Sequence, residues 1–273
     1  MKLLKARTMI PKKIIKLIPG TVLIHNYFLE KKLLRQFLKC SLEELEQLNF
    51  YKKFIKHNDL VFDVGCNVGS RCKLFLNAGA RVVGFEPQLD LCDHLHSHLH
   101  RSQKFQLEMV ALGEKFGSAE IKISDAHVLS SMSDRWISNT KKSGRFRNYS
   151  WNKLQKVTVS TLDYQIRKHG LPKFIKIDVE GFELEVLKGL SQPVDFISFE
   201  FTAEDFHNST LCIDKICKLG NYSFQYSLGE SLSFDNRNWV AKETLIDQLT
   251  SECTKNPLSW GDIYAGNCIT VDA

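Results

Sequence analysis

Residues 60–87 read LVFDVGCNVGSRCKLFLNAGARVVGFEP, and this stretch decides the fold. Leu60–Val64 is a short, mostly apolar run, as expected for a strand that is buried on both faces of a sheet. A glycine-rich turn, a helical stretch that ends at Ala78-Gly79 and a second buried strand over Arg81–Phe85 follow it. Strand, helix and strand in this order predict a parallel sheet with helices on both faces.

The same alternation continues along the chain. The pattern predicts helices over 89–100, 162–169 and 182–190, and strands over 105–111, 119–124, 156–160, 174–177 and 195–201. We therefore predict an α/β fold with a Rossmann-like, mostly parallel sheet of seven strands. A terminal antiparallel pair, over 222–226 and 267–271, is expected to close this sheet.

The N-terminal region is basic and differs from the rest of the chain. Residues 1–57 contain 13 Lys and Arg against 4 Asp and Glu, a net charge of +9, whereas the whole chain carries +6. Ser41 and Glu44 have capping-box spacing, which predicts a helix after them. We therefore predict a basic helical extension over 1–57 and one domain over 58–273. Such an extension suits contact with anionic lipid or nucleic acid, but a solvated segment is the favoured interpretation.

Composition limits the class of protein. The chain has 43% hydrophobic and 25% charged residues, which is ordinary for a globular protein, and it has no run of 18 apolar residues. The basic N-terminus has no small-residue cleavage site, so we do not expect a secretory signal. Eight scattered cysteines without a CxxC pair fit reduced thiols, and we expect a cytoplasmic protein with membrane-peripheral attachment as the open variant.

The glycine-rich turn after the first strand is a candidate cofactor loop. Asp63-Val64-Gly65-Cys66-Asn67-Val68-Gly69 lies at the carboxyl edge of the sheet, where open α/β sheets bind ligands. It lacks the Gly-Lys-Ser/Thr of triphosphate loops, and Asn67 and Ser70 stand where a dinucleotide loop has glycines. An acidic residue just before the turn suits a cofactor with an ammonium group, such as S-adenosylmethionine. We predict cofactor contacts for Asp63, Gly65, Asn67 and Gly69.

The second strand also ends on an acidic residue. Glu86 is followed by Pro87 and lies 21 residues after Gly65. A carboxylate at this place can accept hydrogen bonds from both ribose hydroxyls, as the equivalent acidic residue of dinucleotide folds does. We therefore add Glu86 and Pro87 to the predicted cofactor contacts.

A third acidic group follows the strand over 174–177. Strand alternation puts Lys176 and Asp178 on one side of the sheet, and Asp178 and Glu180 follow at its carboxyl edge. We interpret Asp178 and Glu180 as functional because an apolar strand delivers them to the ligand edge. Glu183 and Glu185 instead fit the acidic first turn that stabilises a helix.

In these stretches the sequence resembles the FkbM family of methyltransferases. The matching stretches are DVGCNVGS (63–70), VVGFEP (82–87), VALGEKFG (110–117), STLD (160–163), GLPKFIKIDVEGFELEVLKGL (170–190) and FISFEF with Glu200. The resemblance implies a class I methyltransferase sheet, S-adenosylmethionine as cofactor, and O-methylation of a sugar, glycan, polyketide or other secondary metabolite. It also implies cofactor contacts for Ala111, Leu112 and Ser131, whereas Met109 stands where the family often has Asn.

Methyl transfer to an alcohol needs a positioned acceptor and a group that removes its proton. We predict that Asp178, which also contacts the cofactor, or Glu180 orients or deprotonates the acceptor. Glu200, at the next strand end, is expected to support this site, and Lys176 is expected to hold a carboxylate in place. No metal is predicted, and a divalent cation held by Asp178, Glu180 and Glu200 is the open alternative.

Residues 124–154 read as a long, irregular insertion rich in aromatic and basic side chains. Long unstructured loops are usually functional or disordered, so this one is interpreted as a lid or a solvated insertion. His94, His96, His98 and His100 form two i,i+4 pairs on different helix faces without an evident third ligand, which favours a solvated helix.

Two other functions stay open at this point. The basic N-terminus would suit an RNA methyltransferase, but we find no RNA-binding module, and KIDVEG does not resemble the N-P-P-Tyr strand end used on exocyclic amines. A binding module without catalysis is disfavoured by the acids at the methyl end. We expect a small-molecule or glycan acceptor and no nucleic acid, and the oligomeric state is left open.

Overall fold

The structure is a computed structural model that describes residues 31–32, 34–231 and 233–268. It contains ten strands: β1 (Leu60–Val64), β2 (Arg81–Phe85), β3 (Phe105–Glu108), β4 (Ala111–Leu112), β5 (Gly117–Ile123), β6 (Lys153–Ser160), β7 (Phe174–Ile177), β8 (Phe196–Thr202), β9 (Tyr222–Leu228) and β10 (Trp260–Asn267). Seven of them form one sheet in the order β3-β2-β1-β7-β8-β10-β9, and the other three form a small sheet in the order β4-β6-β5.

The α-helices named here are α1 (Leu42–Tyr51), α2 (Ser70–Asn77), α3 (Leu89–Leu99), α4 (Asp134–Ser143), α5 (Leu162–His169), α6 (Glu183–Lys188), α7 (Phe206–Cys217) and α8 (Lys242–Lys255). They cover both faces of the large sheet. One hydrophobic core contains residues of the four helices α5, α6, α7 and α8 and of one sheet face, including Phe62 and Ile175. The other hydrophobic core contains residues of α1, α2 and α3 and of the opposite sheet face, including Val61 and Phe174. Neighbouring strand residues thus enter opposite cores, as strand geometry requires.

The large sheet has the predicted mixed topology. β1, β2, β3, β7 and β8 pair in parallel, and β10 runs antiparallel between β8 and β9. The predicted seven-stranded Rossmann-like sheet is therefore confirmed. β1 and β7 are neighbours although more than a hundred residues separate them, so the loops after both strands meet at one edge.

Helix α1, which we placed in the N-terminal extension, packs into the same core as the sheet. The predicted capping box is present, because Ser41 and Glu44 each accept a hydrogen bond from the other's backbone N–H. Tyr51 is fully buried and its ring contacts Phe75 and Phe174. Burial of this aromatic group ties α1 firmly to the domain.

The third predicted strand is shorter than expected. β3 ends at Glu108, and Ala111–Leu112 pairs with β6 in the small sheet. The Val110 N–H donates to the Glu108 carbonyl, which turns the chain between the two sheets. A continuous strand over 105–111 is therefore wrong, because a tight turn that carries no glycine or proline redirects the chain.

The expectation of an irregular 124–154 segment is also wrong. The segment contains α4, whose first turn is capped by the Ser133 hydroxyl, and Trp136 is 2% exposed. Trp136 packs with Leu129, Ile137 and the rings of nearby residues in a small core of its own. This helix was not predicted from the sequence because most of its residues are polar and only one of its faces is apolar.

The C-terminal part was predicted least well. α7 and α8 were missed, and the closing strand β10 lies over Trp260–Asn267, earlier than the predicted 267–271. Residues 269–271 of that prediction lie outside the described part of the chain. Within the described ranges, no helix combines the length and the apolar character needed to cross a bilayer.

Two ion pairs fasten the α4 region to the residues that follow β8. Arg145 donates to both carboxylate oxygens of Glu204, at 2.7 and 3.0 Å, and also to the Leu258 carbonyl. Arg135 contacts Asp205 at 2.9 Å. The Arg145 and Glu204 side chains are only 13% and 5% exposed, so little water screens this pair.

Removal of one partner of the buried pair is expected to destabilise the fold. Arg145→Met should lower the free energy of unfolding by roughly 3 kcal/mol, because Glu204 is left buried and unpaired. The double variant Arg145→Met/Glu204→Met should recover much of that loss. Urea unfolding checks both values.

A matched control is Lys115→Met, since Lys115 is 83% exposed and forms only a surface pair with Glu114. This change should alter stability by less than about 0.5 kcal/mol. Equal losses for Lys115→Met and Arg145→Met would contradict the importance of the buried pair.

Candidate active site

A cavity opens at the carboxyl edge of the sheet, where β1, β2 and β7 end. Its wall is formed by Val64, Gly65, Asn67, Phe85, Glu86, Pro87, Gln88, Val110, Ala111, Leu112, Ile121, His127, Val128, Ser130, Met132, Asp178, Val179, Glu180 and Phe182. We call it the cofactor cavity. Of the predicted cofactor contacts, Gly65, Asn67, Glu86, Pro87, Ala111, Leu112 and Asp178 lie on this wall.

The loop after β1 comes into very close contact with the loop after β7. Gly65 has a φ of +81°, and a Cβ at this position would overlap the carbonyl oxygen of Asp178. The Asp178 N–H also donates to the Val64 carbonyl at 2.9 Å. Only glycine fits here, because it tolerates this φ and lacks the atom that would collide.

Glu86 forms the polar floor of the cavity. Its carboxylate accepts hydrogen bonds from the backbone N–H groups of Asn67 and Gln88, both at 2.9 Å. Glu86 is 2% exposed, and this burial raises the pKa of the carboxyl to about 7, although the two backbone donors oppose the shift. The lone pairs that these donors and the Gln88 side chain leave unused can accept hydrogen bonds from hydroxyl groups.

Another part of the cofactor cavity wall is apolar, and we call it the apolar slot. Val110, Ala111, Leu112, Ile121 and Met132 line it, and a flat heterocycle fits between such walls. Met109, singled out in the sequence, is 61% exposed and does not line the slot.

Ser131 has a different contact from the one expected. Its neighbour Ser130 lines the cofactor cavity, whereas the Ser131 hydroxyl donates to the Glu180 carbonyl at 2.6 Å. It also accepts from the Ser133 N–H at 2.8 Å. In this structure Ser131 therefore holds the loop that carries Glu180.

Two residues of the first motif lie behind the cavity wall. Asp63 is 1% exposed, accepts a hydrogen bond from the Cys72 thiol and lines an adjoining cleft; burial raises the pKa of its carboxyl. Gly69 caps α2 and packs against Leu95. The structure thus gives Gly69 a role in the turn itself.

A buried lysine organises the acids at the end of β7. The Lys176 ammonium is 2% exposed and donates to Asp178 at 2.8 Å, and Asp262 on β10 lies 3.8 Å away. Burial opposes ionisation of Asp178, but the Lys176 charge outweighs it and holds the pKa of this carboxyl below its usual value. Lys176 therefore keeps Asp178 negatively charged.

The turn after Asp178 is held in an unusual conformation. Glu180 has a φ of +54°, which is rare for a residue with a side chain. The Glu183 carboxylate accepts from the Val179 and Gly181 N–H groups, at 3.3 and 3.0 Å, and Trp136 packs where a Gly181 side chain would stand. Glu183 lies in the first turn of α6, as predicted, and its carboxylate also holds the turn before that helix.

Asp178, Glu180 and Glu200 come together as the sequence predicted. Each offers one carboxylate oxygen within 4.8 Å of the other two. Burial, followed by repulsion from neighbouring carboxylates, raises the pKa values of Glu180 and Glu200 well above the ordinary range. The group can share a proton, and its spacing also meets the geometric need of the divalent cation left open above.

Several residues at this edge were not predicted from the sequence. Asp262 lies 86 residues after Lys176, and only the pairing of β8 with β10 brings the two together. Gln88, His127 and Val128 line the cofactor cavity without belonging to a recognisable motif. No local pattern marks such residues, because their positions follow from the tertiary fold.

Sequence comparisons with known proteins find a matching family model and a curated relative. The Methyltransferase FkbM domain model matches residues 63–224. The hexuronic acid methyltransferase AglP of Haloferax volcanii is 26% identical over 162 residues, which cover 59% of this chain and 58% of that relative. The match thus spans little more than half the length of the curated relative.

The solved structures that match this chain share little sequence identity with it. A precorrin-6Y C5,15-methyltransferase of Geobacter metallireducens has a TM-score of 0.43 at 8% identity, with 82% of this chain and 87% of that chain covered. A TehB-like SAM-dependent methyltransferase of Corynebacterium glutamicum has a TM-score of 0.42 at 8% identity, with 92% and 100% covered. The family model, in contrast, covers more than half of the 273 residues, and the chain therefore belongs to the FkbM methyltransferase family.

Proposed function

We propose that this protein transfers a methyl group from S-adenosylmethionine to a hydroxyl oxygen of a sugar or glycan. The observation that carries the proposal is the shared wall of the cofactor cavity. Glu86 stands on its floor, and Asp178 and Glu180 stand at the end farthest along the sheet from β2. The cavity thus places a carboxylate that suits ribose hydroxyls in the same space as carboxylates that suit acid–base chemistry.

The residues of the cavity fit this cofactor. The apolar slot around Leu112 would hold the adenine, and Glu86 would accept the ribose hydroxyls. The loop at Gly65 and Asn67 would hold the methionine end, and the ionised Asp178 beside it favours the positive charge. When bound, S-adenosylmethionine supplies the methyl group, which passes from sulfur to the acceptor oxygen.

Glu180 is the proposed base. Removal of the hydroxyl proton requires a group whose pKa lies nearer to neutrality than that of an ordinary carboxyl. Burial and the neighbouring Asp178 raise the pKa of Glu180, whereas Lys176 keeps Asp178 ionised and weakly basic. We therefore assign proton removal to Glu180 and orientation of the acceptor to Asp178, with Glu200 stabilising the proton on Glu180.

The choice of a sugar rests on the curated relative, whose name describes a hexuronic acid methyltransferase. The function is tested by calorimetry of S-adenosylmethionine binding, with ATP and NAD as controls, and then by transfer of a labelled methyl group to a panel of glycosides. Selective binding with transfer to oxygen would support the proposal. A folded protein that ignores the cofactor would overturn it.

Glu86→Gln is expected to weaken S-adenosylmethionine binding by about 10- to 100-fold, because hydrogen bonds to a charged acceptor are lost. The pKa of Glu86 is about 7, so its ionised fraction falls as the pH drops from 8 to 6. Wild-type affinity should decline over this range, and the variant should lose this dependence. Calorimetry at three pH values measures both effects, and Glu120→Gln, at an exposed position of β5 outside the cofactor cavity, is the control.

Glu180→Gln should lower kcat by about 100-fold or more, with little change in cofactor affinity. In the wild type, kcat/KM should rise with pH as Glu180 loses its proton, and this rise should vanish in the variant. Stopped assays with labelled cofactor and an accepted glycoside measure the profiles.

The same assay distinguishes two roles of the Asp178, Glu180 and Glu200 carboxylates, namely proton removal and the binding of a cation. Activity that persists in EDTA fits proton removal by Glu180. Activity that EDTA abolishes and Mg²⁺ restores would instead favour a cation held by Asp178, Glu180 and Glu200.

A further inference from the structure

A second cleft adjoins the cofactor cavity on the side of α1. It has a volume of about 660 Å³ and shares Gly65, Asn67, Val128 and Asp178 with the cofactor cavity. A ligand in this cleft would therefore contact Asp178, the residue proposed to orient the acceptor. We call it the acceptor cleft, and this assignment rests on the proposed function.

The acceptor cleft is lined by more acids than bases. Its carboxylates are Glu43 and Glu44 on α1, Asp63 on β1, Asp178 after β7, and Glu230 after β9. Its lysine and arginine residues, within the part of the chain that the structure describes, are only Arg71 and Lys176.

Both cations are already engaged by protein groups. Arg71 pairs with Glu230 and donates to the Gln47 side chain at 3.0 Å. Lys176 donates to Asp178 at 2.8 Å and has Asp262 close by. Among the acids, Glu44 pairs with Lys73, and Asp63 is 1% exposed and accepts a hydrogen bond from Cys72. A negatively charged ligand would therefore meet exposed Glu43, and it would find no unpaired cation among the described residues that line the cleft.

The neutral side chains of the cleft suit hydroxyl groups. Ser41, Gln47, Asn67 and Ser70 both donate and accept hydrogen bonds, and the carboxylates accept them from hydroxyls. No aromatic side chain occurs among the described residues that line the cleft, so a planar ring would find no stacking partner there.

From this charge distribution we infer that the acceptor cleft binds a hydroxyl-rich acceptor that carries no negative charge, either a neutral glycan or an amino sugar. The relative named as a hexuronic acid methyltransferase would act on an anionic sugar. The acceptor of this chain therefore differs in charge from the one in that name.

The test uses the full chain saturated with S-adenosylhomocysteine, whose binding is first confirmed by calorimetry. Labelled protein is then applied to an array of neutral, amino and uronic acid glycans matched in size and linkage. Neutral or amino glycans should bind at least about tenfold more tightly than their uronic acid counterparts, because like charges at an interface repel. Uronic acids that bind as tightly, or a complete lack of glycan binding, would overturn the inference.

The variant Glu43→Lys tests whether charge on the cleft wall sets the preference. Glu43 is exposed on that wall, so its replacement should not affect folding. The variant should bind uronic acid glycans more tightly and reduce the preference at least about threefold. Glu46→Lys makes the same charge change on α1 outside the cleft and should leave the preference unchanged. An equal shift in both variants would contradict a role for the cleft.

Failure of the inference and failure of the proposed function are distinguishable. Protein that binds S-adenosylhomocysteine but prefers anionic glycans, or binds none, disproves only the charge selection. Protein that does not bind S-adenosylhomocysteine disproves the cofactor assignment, and the inference falls with it.

Discussion

The contact between Gly65 and the Asp178 backbone is the constraint on which the rest of the site depends. It exists because β1 and β7 are neighbours in the sheet and because position 65 carries no side chain. The contact brings the loop that would hold the cofactor against the loop that presents the acids. Ser131, Trp136 and Glu183 then fix the second loop from behind. Residues that do not line the cofactor cavity thus determine where Glu180 stands.

Burial gives chemically similar carboxylates different properties. Asp178 has a buried ammonium group at hydrogen-bonding distance and stays ionised, whereas Glu180 lacks such a partner among the described residues and has acids nearby. Glu86 and Glu183 are each buried and accept two backbone hydrogen bonds, and the pKa of each lies at about 7. A folded-state pKa above the usual value means that the apo protein gains stability from these two groups as the pH falls below about 7.

Local patterns predicted the elements whose residues repeat a simple rule. Apolar strands followed by glycine or acidic residues marked β1, β2 and β7, and the same motifs located Glu86, Asp178 and Glu180 correctly at the carboxyl edge. The α4 segment was missed because its apolar face consists of a few separated aromatic and aliphatic side chains in a polar stretch. Asp262 could not be found from the sequence, because only long-range pairing places it beside Lys176.

The wall of the acceptor cleft comes partly from outside the region that the family model matches. Ser41 to Gln47 precede residue 63, and Glu230 follows residue 224. On the proposed function, the region that the family model matches would deliver the methyl group, and the flanking segments would form part of the wall that meets the acceptor. Transplanting α1 and the segment after β9 between relatives is thus a rational route to altered specificity, with the catalytic centre left in place.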